Sequence, residues 1–464
     1  MSFCNISEFP SNLRTLENLE YLDLSNNKIQ GRILKSESRG IKNLDYLNLS
    51  QNFLTYIEDH PWRDIRTLDL SNNMLQGSLF DPPPICNLSS LEYLSLSNNN
   101  LYGRIPQCFG NMGVVMLHLQ KNNLHGSIPD TFANGSSLVS LDLSGNELEG
   151  RLPRSLGNCS QLEVMNVGNN KISDIFPYWF GTLWNLKVIV LRSNKFYGPI
   201  QDSKTLFHFS NLQILDLSHN EFKSFLPRNL FENLGAMMLI SNNESDVRYI
   251  GDDYYKDSVV VTMKGRDIEM TRILTIFTSI DLSHNNFEGK IPEILGNFKS
   301  LIVLNLAHNS LTGNIPSSLG NSIALESLDL SSNKLGGRIP VQLESLTFLS
   351  LLNLSHNQLS GPIPQGGQFE TFESDYFIRN KGLCGRPLPT KCNNDPRPQL
   401  PPAFSEGEDD NSSEFDWKIA MMGYGSGVVI GLSIGYIVFS TGKPRWLVRM
   451  VEARVQNIVR RTGR

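Results

Sequence analysis

The chain has little with which to do chemistry. Its eight histidines are scattered, no nucleophile motif occurs, and no constellation of acid, base and electrophile can be defended. Nothing in it implies a cofactor or a metal, so an enzyme is not expected. It also lacks a basic surface. Of 41 Lys+Arg and 46 Asp+Glu, residues 418–464 hold eight basic and one acidic, so residues 1–417 stand at −12. A net-acidic body argues against nucleic acid as a partner. No apolar leader opens the chain: Met-Ser-Phe-Cys-Asn-Ile-Ser-Glu-Phe-Pro already lies inside a repeat.

What it has is a period. Thirteen copies of Leu-x-x-Leu-x-Leu-x-x-Asn place fixed asparagines at Asn27, Asn52, Asn73, Asn99, Asn122, Asn146, Asn170, Asn194, Asn220, Asn285, Asn309, Asn333 and Asn357. Six of the twelve steps are 24 residues and five more lie between 21 and 26, which means a leucine-rich-repeat solenoid. In Leu141-Asp142-Leu143, alternation sends the leucines inward and Asp142 outward, a short strand. The asparagine ends that strand, where its amide can satisfy backbone groups that the turning chain would bury unpaired. No coil buries its apolar side alone, so stacked coils must share one core.

Outward strand positions form a concave parallel sheet. They include Met116, His118, Gln120, Val188, Val190, Arg192 and Ile214. Val188 and Val190 are apolar where solvent is expected, which reads either as a partner site or as tolerated surface valine. His118 and Arg192 are expected to be solvated rather than functional.

The step from Asn220 to Asn285 is 65 residues, so about 41 belong to no repeat. This insertion, residues 237–274, separates repeats over 1–236 from four more over 275–366. Ser258-Val-Val-Val-Thr-Met263 is strand-like, Lys264-Gly265 can turn, and Ile268-Glu269-Met270 can return. Before it, Asp252, Asp253, Tyr254 and Tyr255 make an acidic-aromatic cluster. The insertion reads as a binding element, with a decorative loop as the bland alternative.

Cys86 and Cys108 are 22 apart, about one coil, within disulfide reach on adjacent turns. Cys384 and Cys392 close a short loop in a cap over 367–398. Cys4 and Cys159 have no obvious mates, and Cys159 is expected to be a buried thiol. Eight Asn-x-Ser/Thr sequons, at Asn5, Asn48, Asn87, Asn134, Asn158, Asn243, Asn353 and Asn411, fit an extracellular glycoprotein.

An acidic, proline-rich spacer over 399–418 leads into Ile419–Ser440, 22 residues without a charge and long enough to span a bilayer. The expected helix, placed at 419–441, is flanked by Trp417 and Trp446, and a basic tail follows over 442–464. Positive-inside then puts the repeats outside, a single-pass type I arrangement at the plasma membrane. Gly423, Gly427, Gly431 and Gly435 lie on one helical face, a packing stripe for another membrane helix or a matter of composition. The 23-residue tail has no room for a kinase, so any signal must come from another chain.

Leu-x-Gly-x-Ile-Pro after the asparagine, as in Leu124-His-Gly126-Ser-Ile128-Pro129, resembles the plant-type extracellular repeat. Four further features narrow the resemblance to plant leucine-rich-repeat receptor-like proteins. Four repeats follow the insertion; eight residues separate Tyr255 from Lys264-Gly265, as in the family's Tyr-x8-Lys-Gly island motif; Asn380-Lys-Gly382-Leu383-Cys384-Gly385 matches the cap; and a glycine-striped span precedes a short tail. The resemblance implies a 3-10 or irregular convex side. It implies that the island, with Tyr255, Lys264 and Gly265, recognises an extracellular protein or peptide together with the concave face, often in defence. It implies that the last four repeats face a co-receptor kinase of the somatic embryogenesis receptor kinase group, and that the glycine stripe pairs with an adaptor receptor kinase. Against that family, which begins with a leader, a cap and more repeats, the chain reads as N-terminally truncated. A developmental peptide receptor of the same architecture, and a nonfunctional remnant, stand as alternatives.

Overall fold

A computed structural model describes residues 1–392 apart from 35–42, 59–63, 80–84, 201–208, 240–247 and 252–256. The chain divides into two compact units, Met1–Asn394 and Asp395–Arg464. The expected span and its glycines Gly423, Gly427, Gly431 and Gly435 lie outside the described residues, as do Tyr255, Asn243 and Asn411. Among the described residues no helix is long and apolar enough to cross a membrane.

The first unit is a solenoid. Thirteen described three-residue strands, from Tyr21–Asp23 to Leu351–Asn353, form one parallel sheet in sequence order. The insertion does not break it: Ile214–Asp216 pairs directly with Ser279–Asp281, in the register Ile214↔Ser279 and Asp216↔Asp281. The central leucine or its substitute in every strand is buried in one continuous core. Within that core Phe196, Phe222 and Phe287 stack at 6.0 and 6.3 Å between centroids, carrying the packing across the same junction.

The fixed asparagines join coil to coil. Asn146 donates through Nδ2 to the carbonyls of Leu119 and Leu143, each at 3.0 Å, while its Oδ1 accepts the Leu124 N–H at 3.0 Å. Asn285 does the same across the insertion, donating to the Leu217 carbonyl at 2.9 Å and accepting from Phe222 N–H at 3.0 Å. Buried backbone groups that a tight turn would orphan are thereby paired. Asn380, in the cap, takes a fourteenth place in this ladder, bonding the Leu359 N–H and the Leu354 carbonyl.

On the convex side, Pro292, Pro316 and Pro340 sit at φ of −67, −63 and −64° immediately before the 3-10 turns Glu293–Asn297, Ser317–Asn321 and Val341–Ser345. The ring fixes the angle that starts each turn. The turns stack so closely that a Cβ on Gly296 would run into the Ser318 carbonyl. Cys86 is bonded to Cys108 and Cys384 to Cys392; Cys159 is a free, buried thiol, and Cys4 is free and exposed.

Candidate functional site: the island against the concave face

Within the insertion, Val259–Met263 and Arg266–Met270 form an antiparallel hairpin. Lys264 and Gly265 make its turn at φ of 56 and 71°, the two positive angles that match the twist of a two-residue hairpin loop. Alternation then gives the hairpin an apolar underside: Val259 and Val261 are each 3% exposed. They rest on Val164, Val188, Val190, Ile214 and Val303 of the concave sheet, with Ile250, Ile273 and Phe277 closing the cluster from the insertion's base. Burying a valine contributes about 1.5 kcal/mol or more relative to leaving it exposed.

This placement corrects the sequence-based reading of the concave face. Val188 and Val190 are buried, not open to a partner, because the chain's own insertion lies over that part of the sheet, and Met116 is buried as well. His118 and Arg192, expected in solvent, are 8% and 7% exposed. Both meet the insertion. Ser140 Oγ donates to Asp257 Oδ1, His118 Nε2 lies 2.8 Å from Ser140 Oγ and 3.4 Å from Asp257 Oδ1, and Asp257 is 1% exposed. Arg192 Nη2 donates to Asp267 Oδ2 at 3.0 Å, and its Nε stands 3.8 Å from Asp216 Oδ2.

Further along, Lys121 pairs with Glu269 at 3.0 Å, and Lys264 at the tip reaches Glu326 at 3.8 Å. The Lys264 N–H donates to Ser327 Oγ at 3.4 Å. The hairpin therefore runs lengthwise, from the coil of Asn122 to the coil of Asn333. A cleft of about 170 Å3 remains along one side, between Asn72, Asn98 and Lys121 on the solenoid and Ser258, Val260 and Glu269 on the hairpin.

Electrostatics follow burial. Burial pushes the His118 imidazole down, but the Asp257 hydrogen bond and charge, with Asp142 and Asp69 behind, outweigh it and leave the pKa above the ordinary value. Burial raises the Asp142 carboxyl, opposed by His118. Asp216 and Asp281 face each other on adjacent strands at the junction. Burial, then the Asp216 charge, pushes Asp281 up to about 7, while burial raises Asp216 against the pull of Arg192.

Two features escaped the sequence reading. Three of the eight histidines are not scattered: His219, His284 and His308 stack at 4.0 and 4.1 Å on successive turns. The signal was the residue just before Asn220, Asn285, Asn309 and Asn357, one repeat position held by histidine four times, the first three on successive coils. Burial and the neighbouring imidazoles lower His284 to about 4. At the other end, Tyr21 and Tyr46 stack at 4.2 Å and 7° in the first two concave strands, with Tyr21 60% exposed. Here the cue was Tyr-Leu-x-Leu at Tyr21, Tyr46 and again Tyr93.

Of the sequons, Asn5, Asn87, Asn134 and Asn158 are exposed. Asn48 and Asn353 lie half-buried in concave strands, and Asn353 Nδ2 donates to Asp329 Oδ2 at 3.2 Å.

Two family models, both described as leucine-rich repeat, match the chain: one at residues 112–172, the other at eight segments from 18–38 to 348–368. Receptor-like protein 53 of Arabidopsis thaliana is 43% identical over 454 residues, covering 97% of this chain and 47% of the relative. Receptor-like protein 7 of Arabidopsis thaliana is 51% identical over 480 residues, covering 96% and 49%. The chain thus spans about half the length of the relatives it matches. Among solved structures, the ectodomain of the Arabidopsis receptor kinase HAESA in complex with an N-terminally extended IDA peptide hormone is similar with a TM-score of 0.65 and 28% identity, over 84% of this chain and 57% of that one. HAESA with IDA and the co-receptor SERK1 gives 0.61 and 28%, over 83% and 65%.

Proposed function

This chain belongs to the plant leucine-rich-repeat receptor-like proteins, and from that premise we propose that it serves as a cell-surface receptor that recognises an extracellular protein or peptide and signals through partner receptor kinases. One observation carries the reading: the island lies along the concave face and brings Lys264 and Gly265 to the repeats that follow it. An element placed so can meet a ligand on one side and a co-receptor on the other. The similar HAESA ectodomain is held in one structure with both a peptide hormone and a co-receptor, which supports that division of labour here. The last four repeats would face a co-receptor kinase, and Gly423, Gly427, Gly431 and Gly435 would pack against an adaptor receptor kinase within the bilayer. Tyr255 would complete the island's recognition surface, and a microbial ligand, in defence, is the favoured class.

The test is co-precipitation of receptor kinases with the full chain before and after challenge with microbial extracts. A ligand-dependent kinase partner is the expected result, and its absence with every extract removes the reading. A response confined to endogenous peptides would favour the developmental alternative, which the peptide-hormone complexes among the similar structures also support. Replacing Gly427 and Gly431 with leucine should weaken the adaptor's co-purification without reducing surface display.

A further inference from the structure

The covered part of the concave face holds an unusual number of ionisable groups for a protein interior. Asp257 is buried with one carboxylate oxygen, Oδ1, engaged by Ser140 and His118, and the other without a hydrogen-bond partner. A carboxylate in that setting is costly unless a cation stands against it. A protonated His118 would be that cation, and the island supplies Asp257. Without the proton on His118, the apolar seam of Val259 and Val261 would have to hold a buried, half-satisfied charge in place.

We propose that the island is a proton-held cover: it stays docked on the concave face while His118 carries its proton against Asp257, and it loosens as that proton is lost, uncovering the apolar row from Val164 to Val303. This rests on the receptor reading above, in which the uncovered row becomes available to a ligand or partner.

The sign follows from which state holds protons more tightly. Around His118 the charged neighbours are Asp257 on the island and Asp69 and Asp142 on the flanking strands, and together they raise the docked imidazole above its ordinary value. A raised group favours docking fully below the open-state pKa and ceases to do so as pH rises through the docked one. At the junction, Asp281 faces Asp216, with Arg192 and Asp267 beside them, and the raised carboxyls of Asp281, Asp216 and Asp142 act in the same direction. Two groups oppose it. Burial raises Asp267, but Thr262 and Arg192 hold it below the usual carboxylate range, so its contribution fades only in strong acid. His219, lowered by burial and then by Arg192, disfavours acid as well. The release window therefore lies above the ordinary imidazole range.

The experiment is hydrogen exchange of the full chain, read by mass spectrometry from pH 5 to pH 9 and corrected for intrinsic rates. Protection of the Val259–Met270 amides should be lost stepwise as pH rises through that window. The scaffold strand Val303–Asn305 should keep its protection throughout. In His118→Gln and in Asp257→Asn the step should disappear, and a fold lost in one variant leaves the other to decide. Flat protection in the wild type, or a step that survives in both variants, overturns the proposal. No ligand enters this measurement, so a flat result sinks the cover and leaves the receptor reading standing. A normal step in a chain that recruits no kinase does the reverse.

Discussion

The start and the middle of the concave sheet put different chemistry at one repeat position. In the first strands that position carries Tyr21, Tyr46, Thr67 and Tyr93, with Tyr21 60% exposed. In the middle it carries Val164, Val188, Ile214 and Val303, all buried beneath the island. The scaffold is the same in both: one register, one asparagine ladder, one leucine core. The difference lies in what the outward residue is asked to meet. Aromatic side chains with a polar tip suit a face that stays wet. Short β-branched side chains suit a face packed against another strand. An apolar outward residue in a solenoid therefore marks contact, and the contact here is made by the chain itself.

That comparison breaks most readily at the island. Val261→Asp would bury an unpaired charge in the covered seam, at a cost of about 3–5 kcal/mol to the docked state. Hydrogen exchange should then show the hairpin unprotected while the open strip is unchanged. Next in size, Asn146→Ala leaves the Leu124 N–H without its partner, while the Leu119 and Leu143 carbonyls keep Asn122 and Asn170 as donors, and should cost about 2 kcal/mol. Asn285→Ala should cost as much, since it spans the junction in the same way; chemical denaturation that separates the two by more than about 1.5 kcal/mol would show that the insertion disturbs the ladder. In the open strip, Tyr46→Leu removes a ring stack worth about 1 kcal/mol and should leave hairpin exchange untouched. Smallest of all, Lys121→Gln breaks an exposed ion pair and should shift stability by less than about 1 kcal/mol, an effect that added salt should erase.

A pH titration sharpens the same contrast from another side. The His284 imidazole is depressed, so the stacked ladder's contribution is present above the ordinary imidazole range and is lost as pH falls through about 4. Nuclear magnetic resonance of the ring protons should follow His284 to that value. In His219→Gln, which removes one neighbouring ring, it should titrate higher.

Much of this was legible beforehand, for a physical reason. A solenoid is nearly one-dimensional, so each coil writes its own rule into its own residues. Asn146 and Pro292 can be read where they stand. The insertion's length, and the hairpin turn at Lys264-Gly265, were legible for the same reason. Its resting place was not, because docking is a long-range event: nothing near Asp257 in the sequence points to His118, 139 positions earlier. Judged by what surface residues usually do, His118 and Arg192 belonged in water. Only the recurrence of β-branched residues at outward positions, matched by Val259 and Val261, hinted that two parts of the chain were made for each other.

The direct pairing of Ile214–Asp216 with Ser279–Asp281 has a mechanical consequence. The insertion leaves the sheet and rejoins it at adjacent rungs, about 4.8 Å apart. Tension along the solenoid would pass from rung to rung and bypass the loop altogether. The island is therefore insulated from strain in its frame and should respond to what touches it, not to how hard the frame is pulled.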